Sequence, residues 1–162
     1  MADLSSRDRA SATISRKSRE VLAACLPADY LSLVDVVGAQ ELSGDFVLLN
    51  LAEMLHETAG RDHPMIDLGK TWWVIGTSGT GDAWLLRRTE FASRVAFLDH
   101  DQGTSAQGID MGIDFMQWLQ LADLMAQVEE STRSPSHVDE ISLAMNSLSM
   151  GLSERYPYKL DV

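Results

Sequence analysis

The segment from Trp72 to Asp101 constrains the fold more than any other part of the chain. It contains three runs rich in aliphatic and aromatic residues, TWWVIG, AWLLRR and RVAFLDHD, and the glycine-rich TSGTGD separates the first two. Glycine, serine and aspartate between two such runs are typical of the turn of a β-hairpin. The segment therefore predicts consecutive antiparallel strands.

A glycine-rich turn between strand and helix can instead bind phosphate. That function requires Gly-Lys-Ser/Thr at the end of the loop, whereas Gly81 is followed by Asp82 and Ala83. A carboxylate repels phosphate, and Trp84 favours a returning strand over a helix. Ser78 also lacks the glycine two positions later that a nucleophile elbow needs. The hairpin interpretation is therefore favoured.

Composition limits the classes of protein to which the chain can belong. Of its 162 residues, 45% are hydrophobic and 23% are charged, as is typical of one globular domain with a sizeable core. The formal net charge of −11 opposes binding to nucleic acid and to anionic membranes, because both are negatively charged. An acidic surface instead favours a basic partner protein, or serves solubility alone.

The cysteine content and the start of the chain bear on the compartment. Cys25 is the single cysteine, which excludes an internal disulfide and a cysteine-rich zinc site, and its apolar surroundings predict a small core residue. The polar sequence MADLSSRDRASAT lacks the apolar part of a secretory signal. No run long enough to span a membrane occurs. We therefore expect a cytoplasmic protein.

Apolar periodicity predicts two helices at the start of the domain. The first begins at Ile14 and should end near Leu26, because a residue that precedes proline is disfavoured in the α region. Pro27 suits the first turn of the second helix, which should end at Gly38. The apolar stripe of this second helix comprises Tyr30, Leu33, Val34 and Val37.

The remainder of the chain continues with a short strand at 46–49 and a helix from Leu51 to Gly60, ahead of the hairpin. After a loop at 103–112, Asp114 and Gln117 resemble a capping box before a broadly apolar helix. Ser136 predicts the start of a last helix that ends near Gly151. Its apolar stripe comprises Val138, Ile141, Met145, Leu148 and Leu152.

This order of elements predicts an α+β fold, in which a meander of three or four antiparallel strands is covered by helices on one face. Residues 1–13 are polar and aperiodic, and are predicted to form a flexible lead. Residues 14–162 are predicted to form a single domain with an additional C-terminal helix from about 136.

Five segments between Val21 and Gln127 together resemble the SUKH superfamily. They are LPADYLSLVDVVG, FVLLNLAEMLHET, WWVIGTSGTGDAWLLRR, VAFLDHDQG and GIDFMQWLQLADLM, and their order and spacing carry the resemblance. Two features depart from the pattern of the superfamily. The segment around Gly38 is shorter and less glycine-rich, and the helix after Ser136 lies outside the shared core.

The resemblance implies a binding protein without catalytic residues or a cofactor. Bacterial members commonly act as immunity proteins that neutralise toxins, and fungal members act as adaptors. On that interpretation an acidic face covers the basic substrate groove of a toxin, and the charges accelerate association. The residues predicted for that face are Asp82, Asp99, Asp101, Asp110 and Asp114.

The sequence Asp99-His100-Asp101 also offers ligands for a metal. Neighbouring residues of a strand point to opposite faces, so His100 is expected to oppose the two aspartates. The other histidines show no metal-binding spacing, and a solvated strand end or partner-binding loop is favoured. Three functions follow: a protein that neutralises a toxin, an intracellular adaptor of the same fold, and a small metal-dependent hydrolase.

Overall fold

The structure is a computed structural model, and it describes residues 14–131 and 135–160. The predicted lead at 1–13 lies outside the described residues. In the described ranges, six strands form one antiparallel meander in the order β1 to β6, so the predicted α+β fold is confirmed. The strands are β1 Gln40–Ser43, β2 Phe46–Leu48, β3 Trp73–Thr77, β4 Ala83–Arg88, β5 Ser93–Leu98 and β6 Ile109–Asp110.

Within the described part of the chain, six α-helices and one 3-10 helix accompany the sheet. The α-helices are α1 Arg16–Cys25, α2 Ala28–Val37, α3 Leu51–Gly60, α4 Phe115–Glu130, α5 Pro135–Leu148 and α6 Leu152–Arg155. The 3-10 helix spans His100–Ser105 and directly follows β5. No described helix is both long enough and apolar enough to cross a bilayer.

The predicted hairpin is the pair β3–β4. Gly76 pairs with Trp84 across the two strands, and the Ser78 amide donates a hydrogen bond to the Asp82 carbonyl oxygen across the turn, at 3.1 Å. The chain therefore returns as a strand after TSGTGD, as the sequence predicted.

The core lies between the sheet and α4. The Trp84 ring stacks on Phe46, with 4.8 Å between centroids, and meets Trp118 of α4 edge-on at 6.1 Å. A Cβ at Gly76 would lie 2.9 Å from the Val47 carbonyl oxygen and 3.2 Å from the Trp118 ring. Glycine at this position therefore allows α4 to approach the sheet closely.

Trp72 directly precedes β3 and Trp73 begins it, and the two side chains have different environments. Trp73 is buried, whereas Trp72 is half-buried. The guanidinium of Arg87 lies 5.0 Å from the centre of the Trp72 ring. This arrangement is a cation–π contact.

Most predicted helix ends agree with the structure. Helix α1 ends at Leu26, whose amide donates a hydrogen bond to the Leu22 carbonyl oxygen. Helix α2 ends at Gly38, which has a φ of 68°. In α2, Tyr30 and Val34 are buried but Val37 is exposed, so its apolar stripe is narrower than predicted.

The sequence patterns did not predict strands β1 and β6, and the helix predicted from Ser136 to about Gly151 is shorter in the structure. Strand β1 reads QELS, without an apolar alternation, and β6 has two residues. Helix α5 begins at Pro135 and ends at Leu148. The left-handed Gly151, with a φ of 73°, then separates it from α6, so Leu152 belongs to another helix.

Candidate functional site

Several turns meet at one end of the sheet. The Gly79 amide of the β3–β4 turn donates to the Gly44 carbonyl oxygen of the β1–β2 turn at 2.9 Å. Trp84 Nε1 donates to the Asp45 carbonyl oxygen at 2.8 Å, which ties the hairpin to the same turn. The Gly44 amide in turn donates to Glu129 Oε1 of α4 at 3.0 Å.

We call this region the acidic end, because carboxylates from distant parts of the chain converge there. The negative charges of Glu129 and Asp82 lie close enough to Asp45 to raise its pKa. Hydrogen bonds and ion pairs link Asp82 to His100 and His100 to Asp101. The carboxylates of the acidic end are Asp45, Asp82, Asp99, Asp101 and Glu129.

Asp82 is the buried centre of this region, with 5% of its surface exposed. Its Oδ2 accepts hydrogen bonds from the hydroxyls of Ser78, Thr80 and Tyr158 at 3.1, 2.9 and 2.8 Å. Its Oδ1 accepts from the amide of His100 at 3.0 Å and pairs with Nδ1 of His100 at 2.7 Å. Burial alone raises the pKa of Asp82, but the hydrogen bonds from His100, Tyr158 and Thr80 outweigh burial and hold the pKa well below its usual range.

His100 lies between two carboxylates. Its Nδ1 faces Asp82, and its Nε2 lies 3.0 Å from Asp101 Oδ1. The hydrogen bond with Asp82 raises the pKa of His100 above its ordinary value; partial desolvation opposes this rise, and the charges of Asp101, Asp82 and Asp99 add to it. Both ring nitrogens therefore favour the protonated, donating form of the imidazole.

The expected alternation of Asp99, His100 and Asp101 was wrong. Strand β5 ends at Leu98, and Asp99 caps the 3-10 helix by accepting the Asp101 amide at 2.8 Å. A helical turn does not alternate its side chains between two faces. His100 consequently lies beside both Asp82 and Asp101.

Asp82, Asp99 and His100 each place a potential metal-ligating atom within 4.8 Å of the others, and they form the one such group among the residues that the structure describes. Asp82 fits the role of a ligand poorly. Its two oxygens already accept five hydrogen bonds, so coordination would break several of them. The arrangement is better suited to joining the β3–β4 turn, the 3-10 helix and the C-terminal segment.

The other two aspartates of the predicted face lie elsewhere. Asp110 lies on β6, where its carboxylate pairs with Arg94 at 3.3 Å and accepts the Gly112 amide at 2.8 Å. Asp114 caps α4 by accepting the Gln117 amide at 2.8 Å. It lines a cleft with the β4–β5 turn, at the opposite end of the sheet. The structure thus brings together Asp82, Asp99 and Asp101 and separates them from Asp110 and Asp114.

Sequence reasoning missed three residues of the acidic end, namely Asp45, Glu129 and Tyr158. Burial raises the pKa of Asp45, and the neighbouring carboxylates of Glu129 and Asp82 raise it further. Burial also raises the pKa of Tyr158, which keeps its hydroxyl protonated as a donor to Asp82. Asp45 and Glu129 resemble ordinary surface residues in the sequence, and Tyr158 follows the last helix, so no local pattern marked them.

An open cleft of about 600 Å³ lies beside the buried Asp82. One part of its wall is apolar and consists of Phe97, Ile109, Pro157 and Tyr158. The other part is polar and consists of Thr80, Asp82, Asp99, His100 and Asp101.

Comparisons with protein-family models, with curated proteins and with solved structures gave no match. The resemblance to the SUKH superfamily therefore stays a prediction.

Proposed function

We propose that this chain is a non-catalytic protein-binding domain, and that its acidic end binds a basic surface of a partner protein. The observation that carries the proposal is the convergence of five carboxylates from separate chain segments at one end of the sheet. Asp82 is satisfied internally, whereas the Asp101 side chain is 83% exposed. Such a surface accelerates association with a basic partner.

The cations that the structure describes near the acidic end do not cancel this charge. Arg61 donates to the Gly81 carbonyl oxygen, but it also pairs with Glu57 at 3.2 Å, so its charge is already matched. Lys159 is exposed and follows Tyr158. With His100 protonated, the five carboxylates still exceed the cations near them among residues 14–131 and 135–160.

The geometry of His100 supports a binding function over a hydrolase. A general base must be able to accept a proton, but the raised pKa of His100 favours the imidazolium. The hydroxyls of Ser78 and Thr80 donate to Asp82 and not to Nε2 of His100. A nucleophile activated by this histidine is therefore lacking among the residues that line the cleft.

Neutralisation of a toxin is the most specific form of this proposal. The resemblance to the SUKH superfamily and the net charge of −11 both support it, since many nucleic-acid-directed toxins need a basic substrate groove. The domain would occlude that groove by burying it against the acidic end. An intracellular adaptor with a non-toxic basic partner is the alternative.

Co-expression with the protein encoded by the neighbouring gene separates these two forms. A neighbour that stops growth alone, and is harmless with this chain, supports neutralisation. A harmless neighbour that still binds the chain supports the adaptor. Absence of a complex between the purified proteins would exclude this neighbour as the partner.

Charge reversal tests the location of the interface. The double variant Asp99→Lys, Asp101→Lys should slow association at low salt by about tenfold or more, with little effect at high salt. The matched control is Asp29→Lys, Glu90→Lys, which changes the net charge equally at exposed positions that line the cleft at the opposite end of the sheet. Equal rates for the two double variants would remove the acidic end from the interface.

A further inference from the structure

The cleft at the acidic end combines an apolar wall with charge at its mouth. Phe97 is almost fully buried beneath it, and the Tyr158 ring meets the Phe97 ring edge-on, with 5.5 Å between centroids. The exposed Ile109 lies on the same wall. An occupant therefore needs both an apolar or planar body and a positive group.

The carboxylates of the cleft differ in their availability to an occupant. Asp82 already accepts five hydrogen bonds, and it fixes both Tyr158 and His100. Asp101 is 83% exposed, and its one contact with a charged group in the described structure is with His100 Nε2. Among the described residues, the half-buried Asp99 accepts hydrogen bonds from the Asp101 amide and the Gln102 side chain, both within its own turn. Negative charge at the mouth is therefore left for a ligand.

The walls of the cleft are held in place before any ligand arrives. The Tyr158 hydroxyl is anchored on Asp82 at 2.8 Å, so its ring has a fixed orientation. The His100 ring is anchored on the same carboxylate through Nδ1 at 2.7 Å. Preorganised side chains lose little conformational entropy when a ligand binds.

We propose that this cleft binds an arginine side chain of the basic partner. The inference rests on the proposed function and names the group that the acidic end recognises. A guanidinium is planar, stacks on aromatic rings and pairs with carboxylate oxygens through two N–H groups, whereas a lysine ammonium is a compact, strongly hydrated charge. The ring of Tyr158 and the carboxylate of Asp101 match the first set of properties.

Three short peptides test the proposal on the whole chain: acetyl-Gly-Arg-Gly-amide and its lysine and citrulline counterparts. Binding is followed through the amide signals of the isotopically labelled protein. The arginine peptide should give saturable shifts centred on His100 and Asp101, the lysine peptide should bind more weakly, and the uncharged citrulline peptide should not saturate. Equal binding of arginine and citrulline, or shifts centred outside the cleft, would overturn the proposal.

A conservative pair of variants supplies the control. Asp101→Asn should lower the affinity for the arginine peptide by about fivefold, since one exposed charge pair is lost. Glu90→Gln removes the same charge from the β4–β5 turn and should leave the affinity unchanged. Equal losses for both would show that the peptide senses only the net charge, which contradicts a specific cleft. Stoichiometric Zn²⁺ binding that excludes the peptide would identify a metal site instead and would also overturn the proposal.

The outcomes separate the cleft from the proposed function. The arginine peptide could bind specifically while the association rate of the partner is unchanged by Asp99→Lys, Asp101→Lys. That result would support the arginine cleft and refute the acidic-end interface. A partner that depends on those aspartates, while the arginine peptide fails to bind, would retain the interface and refute the arginine cleft.

Discussion

Asp82 and His100 are 18 positions apart in the sequence, yet Oδ1 of one lies 2.7 Å from Nδ1 of the other, and the same oxygen accepts the His100 amide at 3.0 Å. One buried carboxylate thus joins the β3–β4 turn to the segment after β5. Through the Tyr158 hydroxyl it also holds the C-terminal segment. This contact is what gives the acidic end a defined shape.

Replacement of Asp82 by asparagine should lower the free energy of unfolding by about 2 kcal/mol. The amide keeps the size of the side chain but presents a donor where the carboxylate presents an acceptor, so at least one of the five hydrogen bonds is lost. Urea unfolding near pH 6 measures the change. Asp101→Asn is the control, and it should change stability by less than about 0.5 kcal/mol because Asp101 is exposed. Similar losses for both variants would argue against a structural role of Asp82.

Stability should depend on pH through the same pair. The pKa of His100 is raised above its ordinary value of 6.5, so its contribution is complete below about pH 6.5 and is lost as the pH rises through the folded-state value. The pKa of Asp82 is lowered from 3.8, so its contribution is complete above about pH 4 and is lost as the pH falls. The Asp82–His100 pair therefore contributes most to stability between about pH 4 and about pH 6.5.

The measurement compares the wild type with His100→Asn by urea unfolding at pH 5, 6.5 and 8.5. The difference in unfolding free energy should be largest at pH 5 and should narrow toward pH 8.5, because deprotonation of the imidazole removes the charge-assisted part of its hydrogen bonds. Asp82, Asp99 and Asp101 all act on this histidine in the same direction. A difference that widens toward pH 8.5 would contradict the assigned protonation of His100.

The fold was largely predictable because local patterns specify its elements. The turn TSGTGD, the proline after Leu26 and the capping residues around Asp114 each act within a few residues, so their effects can be read along the chain. Strands β1 and β6 were missed because neither carries a pattern of its own. Both depend on pairing with a neighbouring strand, which is a tertiary effect.

The candidate site was less predictable for a related reason. Three of the five predicted aspartates reach the acidic end, but the role of each depends on contacts across the fold. Asp82 meets Tyr158 from 76 positions away, and Gly44 meets Glu129 from 85 positions away. The assumption that β5 continued through Asp101 also misplaced His100, because the chain turns at Asp99.

Asp114 should contribute to stability and not to partner binding. Its carboxylate accepts the Gln117 amide, while Gln117 Oε1 accepts the Asp114 amide, which completes a capping box. Asp114→Ala should therefore lower the free energy of unfolding by about 1 kcal/mol. Asp114→Asn keeps a good helix cap, so its free energy of unfolding should be close to that of the wild type. Thermal or urea unfolding of both variants measures the difference. If Asp114→Asn lowered the affinity for the partner without changing stability, Asp114 would belong to the interface and this prediction would be wrong.

The close approach of α4 to the sheet predicts that Gly76→Ala is strongly destabilising. A Cβ there would lie 2.9 Å from the Val47 carbonyl oxygen, which is backbone, and 3.2 Å from the fully buried Trp118 ring. Neither neighbour can move away easily, so the loss should be about 1–3 kcal/mol. Gly60→Ala is the matched control at the end of α3, where a Cβ meets nothing within 4 Å.

The control should be neutral or stabilising by about 0.5 kcal/mol, because alanine favours a helix over glycine and restricts the unfolded chain. Urea unfolding of the two variants under identical conditions measures both effects. Gly76→Ala should also change the emission of the buried tryptophans, since Trp118 packs against Trp84 at a centroid distance of 6.1 Å. Equal stabilities for the two variants would contradict the tight contact between β3 and α4, and with it the packing that positions Glu129 beside Gly44 at the acidic end.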